Sequence, residues 1–152
     1  MRNKEIKPGY PDKYYKQLLF YAKSDLEWAR SGLEDRTYFY HKPCFEAREC
    51  VEKSLKAFLE AMGKSAPELH SLRTLIDLCG QGDKEFLRLR SKSLILHPYQ
   101  HEARYPELPI YDFTPEMADE SVAIATEIYE FVEQKIKEIE RRQKSKMPTN
   151  GR

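Results

Sequence analysis

The chain has 152 residues, 40% of them hydrophobic and 34% charged, with a formal net charge of +1; that size suits one domain able to bury a core without disulfide or metal staples. No segment approaches the roughly 20 apolar residues of a membrane span, and no apolar block follows the basic N-terminus, so a soluble, unexported, cytoplasmic protein with no membrane partner is expected. Near-neutral charge excludes the overall basic footprint of a dedicated duplex-DNA binder and leaves any nucleic-acid contact to a local patch.

Helical periodicity dominates. From Pro11 to Leu33 the residues Tyr15, Leu18, Leu19, Ala22, Leu26, Ala29 and Leu33 follow three- and four-residue steps, predicting an amphipathic helix. Tyr14, Tyr21 and Trp28 recur at seven-residue spacing and lie roughly 110° around from that stripe, at ~100° per residue. This aromatic face fits packing against a helix of the same bundle, a subunit interface, or base stacking.

A second helix is predicted from near Pro43 to Met62, with Ala47, Val51, Leu55, Phe58 and Met62 on one face and Gly63 as its stop. Glu49 with Lys53 and Glu52 with Lys56 are i,i+4 pairs in the favourable order, which suits a solvated face. A short third helix carries Leu69, Leu72, Leu75, Ile76 and Cys79 and ends at Gly80, with His70 expected to cap or hydrogen-bond it. Asp83 can cap a fourth helix through about Leu96. Thr114-Pro115-Glu116 supplies an N-cap, a proline at the first helical position and a first-turn acid for a last helix reaching about Arg141. No alternating strand pattern appears, so an all-α, up-and-down bundle of about five helices is expected over residues 10–141, with 142–152 a disordered polar tail. Cys44, Cys50 and Cys79 form no CxxC and lie in apolar helical patterns, which suits buried reduced thiols.

Polar chemistry concentrates between the fourth and last helices, in Leu94-Ile95-Leu96-His97-Pro98-Tyr99-Gln100-His101-Glu102-Ala103-Arg104-Tyr105-Pro106, where two prolines bar one continuous helix. Arg104 can grip phosphate bidentately, Tyr99 and Tyr105 can stack on a base or ribose, and His97 or His101 can donate to the same phosphates. Tyr105 precedes Pro106, which biases it to extended backbone and splays its ring from the bundle. Arg104 can equally pair with Glu102, Glu107 or the acidic last helix, with Tyr105 filling the core. Lys53 and Lys56 become phosphate contacts if the second helix borders the same cleft. For metal-free RNA cleavage, histidine can act as base and arginine can stabilise phosphorane charge, and the catalytic candidates are Arg90, His97, His101 and Arg104. His97 and His101 have i,i+4 spacing, but Pro98 intervenes and no third ligand is positioned, so no metal is expected. No glycine loop that cradles phosphate is present and no cofactor is expected.

The order of Asp25-Leu26, then Ala47…Val51-Glu52-Lys53-Ser54-Leu55-Lys56-Ala57, then Leu69-His70-Ser71-Leu72, then Tyr99…Arg104-Tyr105-Pro106, then Thr114-Pro115-Glu116…Ala118 resembles the HEPN domain family over roughly Tyr14 to Val132. The resemblance implies a helical bundle, a homodimer, and pairing with a separate minimal nucleotidyltransferase in toxin–antitoxin or defence settings. Many relatives are metal-independent ribonucleases in which a histidine follows an arginine after four to six residues; Arg90 and His97 satisfy that spacing, whereas His101 and Arg104 stand in the reverse order. The Arg-Tyr-Pro branch implies nucleotide or RNA binding instead. Adenylate modification of Tyr99 or Tyr105 by a partner is compatible with either.

Overall fold

Residues 9–34, 39–106 and 113–146 are described by the computed structural model. Among them are five α-helices and no strand: α1 (Tyr14–Glu34), α2 (His41–Ala61), α3 (Leu72–Gly82), α4 (Arg90–Leu96) and α5 (Pro115–Lys146), with 3-10 segments at Lys84–Leu89 and His97–Gln100. The expected all-α class is present. No helix of the described residues is long and apolar enough to cross a membrane.

α2 is the central element, packed against α1, α3 and α5. Apolar residues bury three of its sides, and even Arg48, Glu52 and Ser54 are buried. That corrects the reading of its charged residues as a solvated face, since a helix covered nearly all round must satisfy its polar groups inside the protein. The core is built on Leu26 of α1, Leu55 and Phe58 of α2, Phe86, and Ile128 of α5. Phe86 lies between Phe58, at 4.2 Å between ring centroids, and Phe131, at 5.0 Å. Cys44, Cys50 and Cys79 are free and buried, and burial pushes their thiols up to about 11, 12 and 12, respectively.

Helix boundaries follow local chemistry. α1 starts at Tyr14 rather than Pro11, and the Gln17 amide holds the preceding turn by donating to the Pro11 carbonyl at 3.0 Å. α2 starts at His41, so Pro43 sits in its first turn, where its missing N–H costs nothing. Gly63 closes α2 with φ of +80°, a left-handed conformation that favours glycine. Ser71 caps α3 by accepting from Thr74 N at 3.3 Å, and the His70 side chain, expected to cap or hydrogen-bond that helix, instead bonds Glu52 of α2. Thr114 caps α5 by accepting from Met117 N at 3.2 Å, as expected.

The fourth predicted helix is divided. Asp83 does cap it, accepting from Glu85 N at 3.0 Å, but Lys84–Leu89 is 3-10 and only Arg90–Leu96 is α-helical. A Cβ on Gly80 would come 2.4 Å from Leu87 Cδ2, so the 3-10 segment packs closely on α3 at this glycine. α5 continues to Lys146 beyond the expected end at Arg141, so 142–146 are helical, not disordered; the rest of the expected tail, 147–152, lies outside the described residues. Lys144 and Lys146 in its last turn suit the negative end of the helix dipole.

Candidate functional site

The site grows from the N-terminal half of α2. Arg48 is wholly buried, and its Nη1 reaches Glu52 Oε1 at 2.7 Å and Glu49 Oε1 at 3.2 Å. Its Nη2 donates to the backbone carbonyl of His70 and lies 3.5 Å from the Gln100 side-chain oxygen. One guanidinium thus ties α2 to the approach to α3 and to the turn after α4. Burial pushes the Glu52 carboxyl up, but hydrogen bonds from Arg48 and His70 and the charges of Arg48 and Lys56 outweigh it and hold the group below its ordinary range.

Glu52 orients two further groups. Lys56 Nζ lies 3.3 Å from Oε2, and His70 Nδ1 lies 3.1 Å from both carboxylate oxygens. Lys53 points elsewhere, to Asp25 of α1 at 2.6 Å. Both lysines expected as phosphate contacts are therefore held in carboxylate pairs, and Lys53 turns toward α1. Asp25 is pushed up by burial, partly offset by the hydrogen bond and charge of Lys53.

Beyond Gln100 the chain keeps turning. His101 N and Glu102 N reach the Pro98 carbonyl at 3.3 and 3.1 Å, and Arg104 N and Tyr105 N both reach the His101 carbonyl at 3.0 Å. Tyr99 and Ala103 point inward, one helical turn apart, leaving His97, His101, Arg104 and Tyr105 exposed. Tyr99 is 7% exposed and packs on Phe113 at 5.6 Å, with burial pushing its hydroxyl up to about 12. It is a core residue, which corrects its reading as a stacking platform. Tyr105 is 53% exposed, as its position before Pro106 led us to expect.

Arg104 Cζ stands 5.6 Å from the Phe45 ring centroid and 5.5 Å from that of Tyr105, and the Tyr105 ring lies 5.4 Å from His101. None of the carboxylates of the described residues forms a salt bridge with Arg104; Glu107, one of the partners considered for it, lies outside them. An exposed guanidinium braced between two rings is pre-oriented for a planar anion. His101, Arg104 and Tyr105 are thus brought together, whereas Arg90 and His97 are not. Arg90 opens α4 and is paired with Asp77 of α3 at 2.7 Å; His97 lies at the other end, two helical turns and about 10 Å along the axis.

Arg48 was not singled out in the sequence, and Glu52 was read there as the surface partner of Lys56. Their signal is a charged i,i+4 pair directly among Ala47, Cys50, Val51 and Leu55, at positions where a helix turns its apolar side inward.

Fold and site together define a small all-helical bundle with an arginine–aromatic surface supported by a buried arginine–glutamate pair that reaches an exposed histidine. The chain belongs to the HEPN domain family, whose family model matches residues 15–136. The solved structure of ST0689, an archaeal HEPN homologue, has the same fold, with a TM-score of 0.66, 24% identity, and coverage of 82% of this chain and 98% of that one. TT1696 from Thermus thermophilus is similar, with a TM-score of 0.65, 25% identity, and coverage of 80% and 97%. Among curated proteins none matches the sequence.

Proposed function

We propose that this protein is a HEPN module that binds a nucleotide or single-stranded RNA at the surface formed by His101, Arg104 and Tyr105. The observation that carries this reading is the exposed Arg104 guanidinium, held beside the Phe45 and Tyr105 rings and joined to no carboxylate of the described residues. Arginine offers bidentate donors to phosphate, and the exposed Tyr105 ring offers a face to a base. Titration calorimetry with ADP and with a short single-stranded oligoribonucleotide tests it. Arg104→Ala is expected to weaken binding at least tenfold, and an unchanged affinity would remove the assignment.

The ribonuclease alternative has less support at Arg90 and His97, because Arg90 is engaged by Asp77; its other pair, Arg104 with His101, flanks the same Tyr105 ring. Incubation with total RNA in EDTA decides it: cleavage lost on His97→Ala or His101→Ala would restore the enzyme. A separate nucleotidyltransferase partner, and a toxin–antitoxin or defence setting, rest on family membership alone.

A homodimer is part of the proposed reading, and we assign the second copy to the aromatic face of α1. Tyr14, Phe20, Tyr21 and Trp28 are exposed, Trp28 to 70%, so packing within the bundle does not account for them. Gln17, Ser24 and Ser31 separate Tyr14, Tyr21 and Trp28 from a flank that carries Lys16 toward one end, Glu27 and Glu34 toward the other and Phe20 between them, at ~100° per residue. A two-fold axis at Tyr21 runs the two helices antiparallel and opposes like flanks, bringing the partner's Glu27 to Lys16 and the partner's Trp28 to Tyr14. The face is self-complementary in charge.

A further inference from the structure

Resting on that reading of Arg104, we propose that the imidazole of His70 is a second phosphate contact in the same site, presented to the ligand by the buried Glu52–Arg48 pair. The ligand class is one with two or more phosphates along its length, a nucleoside polyphosphate or an oligoribonucleotide.

Three observations meet at His70. Its Nδ1 is fixed 3.1 Å from both oxygens of Glu52, while its side chain is 60% exposed against 7% for that of Glu52. A half-buried hydrogen bond on one edge of the ring thus sets the direction of the other, and Nε2 is the ring nitrogen left for a ligand, donor when the ring is protonated and acceptor when it is neutral. The fold does not need the side chain as a cap, since Ser71 performs that role for α3. The hydrogen bond of His70 to Glu52 is one of three, since Arg48 and Lys56 also face the carboxylate at 2.7 and 3.3 Å, and it occupies only the Nδ1 edge of the ring. A histidine held by that edge and turned outward on the other is positioned for recognition.

Proximity to Arg104 comes from Arg48. The same Nη2 serves the His70 carbonyl and the Gln100 amide oxygen, so the residue before His101 and the backbone of His70 meet at one atom. Along α2, Phe45 lies under Arg104 and Glu52 under His70. Seven residues at 1.5 Å rise put these supports about 10 Å apart. A single phosphate at Arg104 cannot bridge that span, whereas a di- or triphosphate tail or two successive nucleotides can. The groups facing the imidazole are Glu52, with Arg48 and Lys56 behind it on α2.

Affinity for ADP and for a short oligoribonucleotide would be measured on wild type, His70→Asn and Arg104→Ala. Asparagine keeps a donor near the place of Nδ1 for Glu52 and removes Nε2, so it separates recognition from support. His70→Asn is expected to weaken both ligands about tenfold to a hundredfold, the loss of one charge-assisted hydrogen bond, with its unfolding temperature near that of wild type. In parallel, the ring resonances of His70 in the wild-type protein must move on addition of ligand. Weakening by Arg104→Ala with wild-type affinity in a folded His70→Asn overturns the inference and leaves the Arg104 site intact. Should the asparagine variant fail to fold, an unmoved His70 resonance overturns it instead. No effect of Arg104→Ala removes the site reading and this inference with it.

Discussion

The Arg48 guanidinium lies 2.7 Å from the Glu52 carboxylate, one turn along α2, and neither side chain has more than a few percent of its surface in solvent. An ion pair on a helix surface is worth a few tenths of a kcal/mol, but this one is inside the bundle, where removing one partner strands a buried charge. Its role is organisational. It fixes the approach to α3 through the His70 carbonyl, and the turn bearing His101 and Arg104 through Gln100.

The energetic consequence can be read from a double-mutant cycle. Arg48→Ala or Glu52→Ala alone should cost ~3–5 kcal/mol, because each leaves a buried charge without its nearest and most buried partner. Arg48→Met with Glu52→Leu, which removes both charges and fills the space, should cost less than the two single losses added together. Urea denaturation midpoints measure this, and strict additivity would mean the two residues do not act as a unit.

Glu52 also carries a pH signature. Its carboxyl is held low in the folded protein, despite burial, by Arg48, His70 and Lys56. Its contribution is therefore complete above the unfolded value of about 4.3 and lost as pH falls through the folded value. The stability gap between wild type and Glu52→Gln should be widest at neutral pH and shrink below about pH 4. Asp25 has the opposite sign, since burial raises it against the pull of Lys53. Its ionised form is the one folding disfavours, so Asp25→Asn should remove a stability gain that wild type shows on acidification through the carboxylate range.

Much of this fold was legible from spacing alone. The apolar steps in α1, α2 and α5, the Thr114 cap and the Asp83 cap are local signals, and all are present. The break of the fourth helix at Leu89 was not legible, because the apolar spacing of Phe86, Leu89 and Leu96 is the same for one helix as for a 3-10 turn followed by a helix. In the site, proline placement correctly marked where the backbone turns and where Tyr105 emerges. Tyr99 was misread because Tyr99 and Tyr105 look alike in sequence, and only the packing of Ala103 and Phe113 decides which ring turns inward. Arg48 was missed for the converse reason: arginine on a helix is ordinarily solvated, and its burial comes from the neighbours α2 acquires in the fold.

The two tyrosines should therefore separate cleanly on mutation. Tyr99→Ala, which empties a buried ring site beside Phe113, should cost ~3–5 kcal/mol of stability. Tyr105→Ala should change stability by less than about 0.5 kcal/mol, as for an ordinary surface position, while weakening single-stranded RNA by ~1–3 kcal/mol through lost stacking. Thermal unfolding and calorimetry on the same preparations check both, and equal stability losses would place Tyr105 in the core.

Self-association through α1 makes the most specific demand on charge. With a two-fold axis at Tyr21, Glu27→Lys sets lysine against lysine across the interface and Lys16→Glu sets acid against acid, so each variant should shift the protein toward monomer. The doubly reversed Lys16→Glu/Glu27→Lys protein restores opposite charges at the same positions and should re-associate. Loss of the exposed Lys16–Glu140 contact at 3.7 Å is a minor effect. Trp28, the only tryptophan in the chain, reports the same equilibrium: its emission should shift to shorter wavelength as concentration rises and the ring leaves water, and stay red-shifted in the single reversals. Sedimentation equilibrium on the four proteins completes the test. A double variant as monomeric as its parents would exclude this pairing, because only an antiparallel contact of like faces predicts the rescue.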